Sequence, residues 1–207
     1  FNLQFNSKTF GPKIKSRNQI LELESIQTQV SLLSIFKDSF PLKNLDLSKK
    51  AIELRKLISF IRSINRDPKL LVLENFIKKG YLIADIKLEF DQNGKIKNNY
   101  KIKGFVKNGN IDFFKKYQFE KINFNFNIGK KISNFQEISF LYKDLNLFFE
   151  NITSKIVADE IFLNGKIDNK NLVIKEGFLN EFVSFTNFKI KKIKLDTKSE
   201  FSLKLDR

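Results

Sequence analysis

The stretch Ile122-Asn123-Phe124-Asn125-Phe126-Asn127-Ile128 alternates apolar and polar side chains without a break. Successive side chains of a β-strand point to opposite faces. This segment therefore has one face of Ile and Phe and one face of Asn. Similar alternation recurs from about residue 80 to the C-terminus. Leu82, Ala84, Ile86, Leu88 and Phe90 share one face, with Asp85, Lys87 and Glu89 on the other. Tyr100, Ile102, Gly104 and Val106 stand against Lys101, Lys103 and Lys107 in the same way. A long sheet with one apolar face needs something to cover that face, and little in the chain offers to do so.

Only the first third contains a convincing helix. Residues 1–5 alternate as a short strand, and Gly11-Pro12 breaks the chain. Strands are predicted over Ile20–Val30 and Leu42–Leu47, with one helical turn over Ser31–Lys37 between them. Ser48 is placed to cap a helix over 49–64, where Leu54, Leu57, Ile58, Ile61 and Ile64 follow amphipathic spacing. Asp67-Pro68 ends it. Beyond Lys69 the period is two. Asp91-Gln92-Asn93-Gly94 signals a hairpin, and Asn108-Gly109 is read as the next turn. Further strands fit Gln118–Ile128, Glu137–Tyr142, Asp144–Glu150, Lys155–Leu163, Gly165–Ile167, Leu172–Lys175, Phe182–Leu195 and Glu200–Leu205, punctuated at Asn164-Gly165 and Asp168-Asn169. The fold class is mainly β with a minor helical part: an antiparallel meander with one or two short helices near the N-terminus. It divides into an N-terminal unit, 1–68, and a β segment, 69–207, continuous with it.

At 207 residues the chain can bury a sizeable core. With 42% hydrophobic and 29% charged residues it has the composition of a folded protein. The 24 Phe against 8 Gly and 3 Pro, with abundant Lys, Asn and Ile, are what an AT-rich genome produces. That bias accounts for the net charge of +15 almost as well as function does. The chain has no Met, starts at Phe1 and finishes in the middle of an alternating pattern, and is read as an internal piece of a longer protein. A missing signal peptide or anchor is then uninformative. No stretch approaches the roughly 20 apolar residues of a transmembrane helix.

With no His and no Cys, the Ser-His-Asp and Cys-His nucleophile systems and His/Cys zinc sites are excluded. Gly104 and Gly109 have the spacing of a phosphate loop, but Asn110-Ile111 stands where Lys-Ser/Thr is required. The adjacent carboxylates Asp159-Glu160 point to opposite faces of a strand and cannot converge. No catalytic residue, metal site or cofactor is expected, and the chain is read as a non-enzyme. Lys115-Lys116, Lys130-Lys131 and Lys191-Lys192 read first as solvated loop or outer-face charge. Base stacking on the Phe residues needs them among the lysines. The two types fall on opposite faces, so nucleic acid is not an expected partner. A closed sandwich or barrel with a dry core remains the bland reading of the Phe-rich stripe.

The run Leu21–Leu47 reads strand, Leu-Leu turn, connector, strand, and resembles the opening unit of the AsmA-like bacterial envelope proteins of the YhdP and TamB type. Gly80–Gly104, a hairpin leading into Lys103-Gly104-Phe105-Val106, is similar to a pattern those proteins repeat. The resemblance implies a long β-sheet curled into an open, β-taco-like groove. It implies a protein anchored in the inner membrane and extending through the periplasm, with phospholipid, bacterial membranes and envelope proteins as partners. The implied roles are lipid transport towards the outer membrane and outer-membrane biogenesis. No family catalytic residues carry over. The groove is expected to be lined by Leu82, Ala84, Ile86, Leu88 and Phe90, then Ile102 and Val106, then Ile122, Phe124, Phe126 and Ile128, with Phe140, Phe162, Phe188 and Ile190 completing it. The helix over 49–64 is expected to pack against the sheet or cap one end of the groove. The alternative is a closed structural or assembly-supporting module without bound lipid.

Overall fold

The computed structural model describes residues 3–37, 39–65, 67–158, 160–175, 178 and 192–206. Ten strands form one antiparallel sheet: β1 (Gln4–Phe10), β4 (Ser25–Ser31), β5 (Leu42–Glu53), β6 (Ile77–Glu89), β7 (Lys101–Phe113), β8 (Tyr117–Ile128), β9 (Ile132–Tyr142), β10 (Leu145–Val157), β11 (Glu160–Lys175) and β12 (Lys192–Asp206), in that spatial order. A small hairpin, β2 (Lys13–Ser16) with β3 (Gln19–Glu22), interrupts the path from β1 to β4. Short helices α1 (Leu32–Phe36), α2 (Leu54–Ile64) and α3 (Pro68–Phe76) fall before β5 and between β5 and β6. β5 pairs directly with β6, so the N-terminal unit and the later strands share one sheet. From β5 onward each strand pairs with the next strand in sequence, as a meander does. The two edges, β1 and β12, do not meet, and the sheet is open rather than closed into a barrel or sandwich.

Among the described residues the sheet is a single layer over most of its area. A compact monomer of 24.3 kDa exposes about 10,000 Å², whereas this chain exposes 14865 Å². Among the described residues no large side chain is completely buried. The core that exists is small: Ala84, Val106 and Phe126, with Leu54, Leu82, Ile102, Phe124, Ile128 and Phe135 packed around it.

Each strand from β5 to β11 carries an extra residue that breaks the register, between Lys49 and Ile52, Ile77 and Tyr81, Val106 and Gly109, Glu120 and Asn123, Ser139 and Gln136, Phe149 and Asn151, and Asn169 and Leu172, and β5 carries a second between Leu42 and Asn44. The bulged residues Asn108, Lys121, Glu137 and Asn171 take positive φ of 51–55°. Bulges bend and twist a strand locally, and one in each of seven neighbouring strands bends the sheet along a line. An unpaired amide inside a sheet is costly unless it finds an acceptor. Asn and Asp side chains of neighbouring strands supply several: Asn108 N donates to Asn123 Oδ1 at 3.0 Å, Lys121 N to Asn110 Oδ1 at 3.2 Å and Asn171 N to Asp196 Oδ1 at 2.6 Å.

The bulges account for several corrections to the sequence reading. Asn108-Gly109 is not a turn but the bulge of β7; the turn is Phe114–Lys116, with Phe114 and Lys115 at positive φ. Asn164-Gly165 and Asp168-Asn169 lie inside the continuous strand β11. The β10–β11 turn falls near Ala158, so the predicted strand Lys155–Leu163 straddles it. Ser48 does not cap a helix: it sits in β5 opposite Ser25 and Asp85, and its hydroxyl donates to the Asp85 carboxylate. The helix runs from Leu54 rather than residue 49, with Glu53 at its N-cap. Its buried residues are Ile58 and Phe60, while Ile61 and Ile64 are exposed. Pro68 ends no more than the linker, because it opens α3 at its first turn, where a missing N–H costs nothing. The Asp67 carboxylate caps that helix, accepting from Lys69 N at 2.9 Å.

Candidate functional site: an apolar hollow on one face of the sheet

Residues directly opposite each other in neighbouring strands share a face, so the register identifies each face across the whole sheet. One row runs Ala84, Gly104, Phe126, Phe135, Ile152, Gly165, Phe201 from β6 to β12. A parallel row runs Ile26, Leu47, Ile86, Ile102, Ile128, and through Ser133 and Ser154 to Leu163 and Leu203. The opposite face carries Ser48, Asp85, Lys103, Asn127, Asn134, Thr153, Asn164 and Ser202 in one row. Thr153 Oγ1 donates to Asn134 Oδ1 there at 3.0 Å. On that face Lys166 also pairs with Glu200 at 2.9 Å. The hydrogen bond and charge of Lys166 hold the Glu200 carboxyl below its ordinary range.

Where the small residues fall decides how the apolar face is filled. Gly104 has no side chain, and the Phe126 ring lies across it: a Cβ there would come within 2.8 Å of Phe126 Cζ. Gly165 is crossed by Phe201 in the same way, a Cβ falling 2.5 Å from Phe201 Cε1. The rings thus lie flat along the sheet instead of standing off it. Successive Phe rings form a seam: Phe113 to Phe119 at 6.2 Å, Phe119 to Phe140 at 5.6 Å, Phe140 to Phe149 at 5.7 Å and Phe149 to Phe201 at 6.3 Å between centroids. All lie within the range of favourable aromatic pairs.

Between the seam and the core cluster lies a hollow of about 300 Å³, lined by Phe119, Ile122, Phe124, Phe135, Ile138, Phe140 and Ile152. This is the lower end of the size range of small-molecule sites. Every wall side chain is Phe or Ile, and it carries no group for acid–base or nucleophilic work. Among the described residues no cluster of carboxylates could hold a metal ion. What such a surface can do is remove apolar area from water, at about 0.8 kcal/mol for each methylene buried. With no polar partner in the wall, it fixes neither the orientation nor the polar end of what it holds.

The structure brings together most of the residues singled out from the sequence. Ile122, Phe124 and Phe140 line the hollow. Leu82, Ala84, Ile102, Val106, Phe126 and Ile128 form or flank the adjoining core on the same face. Ile86 pairs with Ile102, and Leu88 with Leu45, further along that face. Phe90 lies at the end of β6, its ring 5.6 Å from that of Phe40. Phe162 is misplaced in the sequence reading: it stands opposite Lys155 and Lys204, on the polar face, and Ile161 and Leu163 take the apolar side. Phe188 and Ile190 lie outside the described residues, as does Asp159.

Phe119, Phe135, Ile138 and Ile152 also line the hollow and are not among the residues that alternation singles out. Phe119 and Ile122, Phe135 and Ile138, and Phe149 and Ile152 each share a face at a spacing of three, because a bulge lies between them. A charged residue sits in each gap (Glu120 and Lys121, Glu137, Glu150) and is the one signal the sequence offered.

Comparison with known proteins returns no matching family model, no matching curated protein and no matching solved structure. No helix among the described residues is long and apolar enough to cross a membrane.

Proposed function

We propose that this chain is a non-enzymatic lipid-binding segment, in which the apolar face of the open sheet shelters the acyl chains of a phospholipid. The observation that carries this reading is the wholly apolar hollow on a sheet face that the described residues leave largely uncovered. A dry structural core would be closed over by a second layer. Among the described residues the second layer consists of α2, whose Leu54 packs on the core cluster, α3, whose Phe76 meets Phe113 at 4.8 Å, and Phe178, whose ring meets that of Tyr142 at 6.3 Å. The two helices pack over β5, β6 and β7, and neither supplies a wall of the hollow, which β8, β9 and β10 line. A chain of a dozen methylenes buried there gains about 10 kcal/mol before the costs of ordering it. The polar headgroup stays in water at the open side.

The resemblance of Leu21–Leu47 and Gly80–Gly104 to AsmA-like envelope proteins points the same way. On that reading the segment belongs to the periplasmic part of an inner-membrane-anchored protein that passes phospholipid towards the outer membrane. The test is binding of a fluorescent fatty acid to the purified chain. Phe124→Asp with Phe140→Asp places two carboxylates in the hollow and is expected to abolish binding. Ile152→Trp, which fills the hollow without adding charge, is expected to weaken it. Asn127→Asp, on the polar face, is the control. Unchanged binding in folded hollow variants contradicts the reading.

A further inference from the structure

The helical end of the sheet has a surface that the hollow does not explain. Helix α3 carries Leu70-Leu71-Val72-Leu73 without an apolar stripe, so the run cannot all face the sheet. Leu71, Val72 and Leu73 are 46%, 49% and 43% exposed. Phe114, at the tip of the β7–β8 turn, is 84% exposed, and its ring stands 5.0 Å from that of Phe76. Val72, Phe76 and Phe114 border one shallow depression with Lys78 and Lys115. Monomeric soluble proteins seldom expose apolar clusters of this kind without a partner.

The charge around the cluster says what the partner is. Its carboxylates are already engaged. Glu74 pairs with Arg62 across α2 and α3 at 3.1 Å, Glu53 pairs with Lys56 at 3.6 Å, Asp67 caps α3, and Asp112 accepts from Lys115 N at 2.8 Å. Arg55, Lys69, Lys79 and Lys115 are exposed, and among the described residues they make no ion pair. An apolar tip bordered by Lys78 and Lys115, with Asp112 as the one carboxylate among them and Lys69 exposed on α3 itself, matches an anionic lipid surface, where the apolar side chains enter the headgroup boundary and the cations meet phosphates.

We infer that α3 and the β7–β8 turn dock this end of the sheet on an anionic phospholipid bilayer. The aromatic seam then begins at the bilayer. Phe76 meets Phe113, Phe113 meets Phe119, and Phe119 lines the hollow. Docking stands on the exposed patch and its charges; only its use as an entrance to the hollow rests on the acyl-chain reading.

The test is flotation of the full chain with phosphatidylglycerol–phosphatidylcholine vesicles and with phosphatidylcholine alone. The wild type is expected to float with the anionic vesicles and to be released by high salt. Lys78→Glu with Lys115→Glu is expected to weaken binding at least about thirtyfold, the equivalent of two lysine contacts with an anionic surface. Val72→Glu with Phe114→Glu, at two exposed positions, is expected to abolish it. Both variants keep fatty-acid binding, and Phe124→Asp with Phe140→Asp keeps flotation, so the two sites fail separately. Absent flotation of the wild type, or flotation unchanged in both docking variants, overturns the inference. A wild-type dimer that Val72→Glu with Phe114→Glu dissociates also overturns it, because a second copy then covers the patch.

Discussion

Gly104→Ala tests whether rings lie against the sheet as described. In most strand interiors, replacing Gly by Ala stabilises by about 0.4–1 kcal/mol, because the unfolded chain loses freedom. At Gly104 the new Cβ would collide with the carbonyl oxygen of Ile83, and would lie 2.8 Å from Phe126 Cζ and 3.0 Å from Ala84 Cα. Two of these three obstacles are backbone and cannot rotate away. The third is a ring in the core cluster with little free space around it. Overpacking of this kind costs about 1–3 kcal/mol, which outweighs the gain and leaves a net loss of about 1–2 kcal/mol. With a urea slope of about 2 kcal/mol/M, the unfolding midpoint falls by about 0.5–1 M. Gly129→Ala is the matched control. Its Cβ would meet nothing nearer than Ile132 O at 3.4 Å, so it is expected to be neutral or stabilising. If Gly104→Ala proves as stable as Gly129→Ala, Phe126 does not lie over Gly104, and the packing of the apolar face is wrong.

Asn169, only 5% exposed, accepts from Phe148 N at 2.7 Å. Asn169→Ala is expected to cost about 1–3 kcal/mol for the orphaned amide and to speed hydrogen exchange at Phe148. The Asp91 carboxylate accepts from Lys95 N and Asn93 N in the turn after β6, and those bonds hold its pKa below the ordinary range. A depressed folded pKa gives a contribution that is complete above the unfolded value of about 4 and is lost as pH falls through the folded one. Amide protection at Lys95 should therefore persist as pH drops through 4 and disappear only below it; loss at a higher pH would contradict the turn geometry. Severing the clip between α2 and α3 with Glu74→Ala is expected to raise exchange throughout α3 while leaving β8–β11 unchanged.

What could be read from the sequence and what could not divide along one physical line. Between bulges the period of two is strict, so Ile122–Ile128 and Leu82–Leu88 were assigned to the correct faces. Each bulge advances the phase by one residue, and alternation alone does not announce it. That is why Asn108-Gly109 reads as a turn; Phe162 falls on the wrong side for another reason, because the β10–β11 turn near Ala158 interrupts the alternation carried through Lys155–Leu163. Phe119, Phe135 and Ile152 escape the alternation because a bulge separates each from its neighbour on the same face. Asn and Gly are signals for turns because they tolerate positive φ; a bulge asks for the same tolerance, and here Asn108 and Asn171 meet it inside strands. Helix α3 was hidden differently. Pro68 ends one helix and begins another equally well, and the run Leu70–Leu73 has no periodicity to reveal a helix. The open sheet is expected from the resemblance of Leu21–Leu47 and Gly80–Gly104 and is what the fold has, whereas alternation alone fixes faces but not closure.

Lipid binding by the apolar face, which the described residues leave largely uncovered, is open to direct test. Native mass spectrometry of the purified chain, followed by extraction of whatever is bound, tests it most directly. The account predicts co-purified phospholipid at a defined stoichiometry, lost in Phe124→Asp with Phe140→Asp. A folded, lipid-free wild-type protein that takes up no phospholipid when offered it would contradict the account.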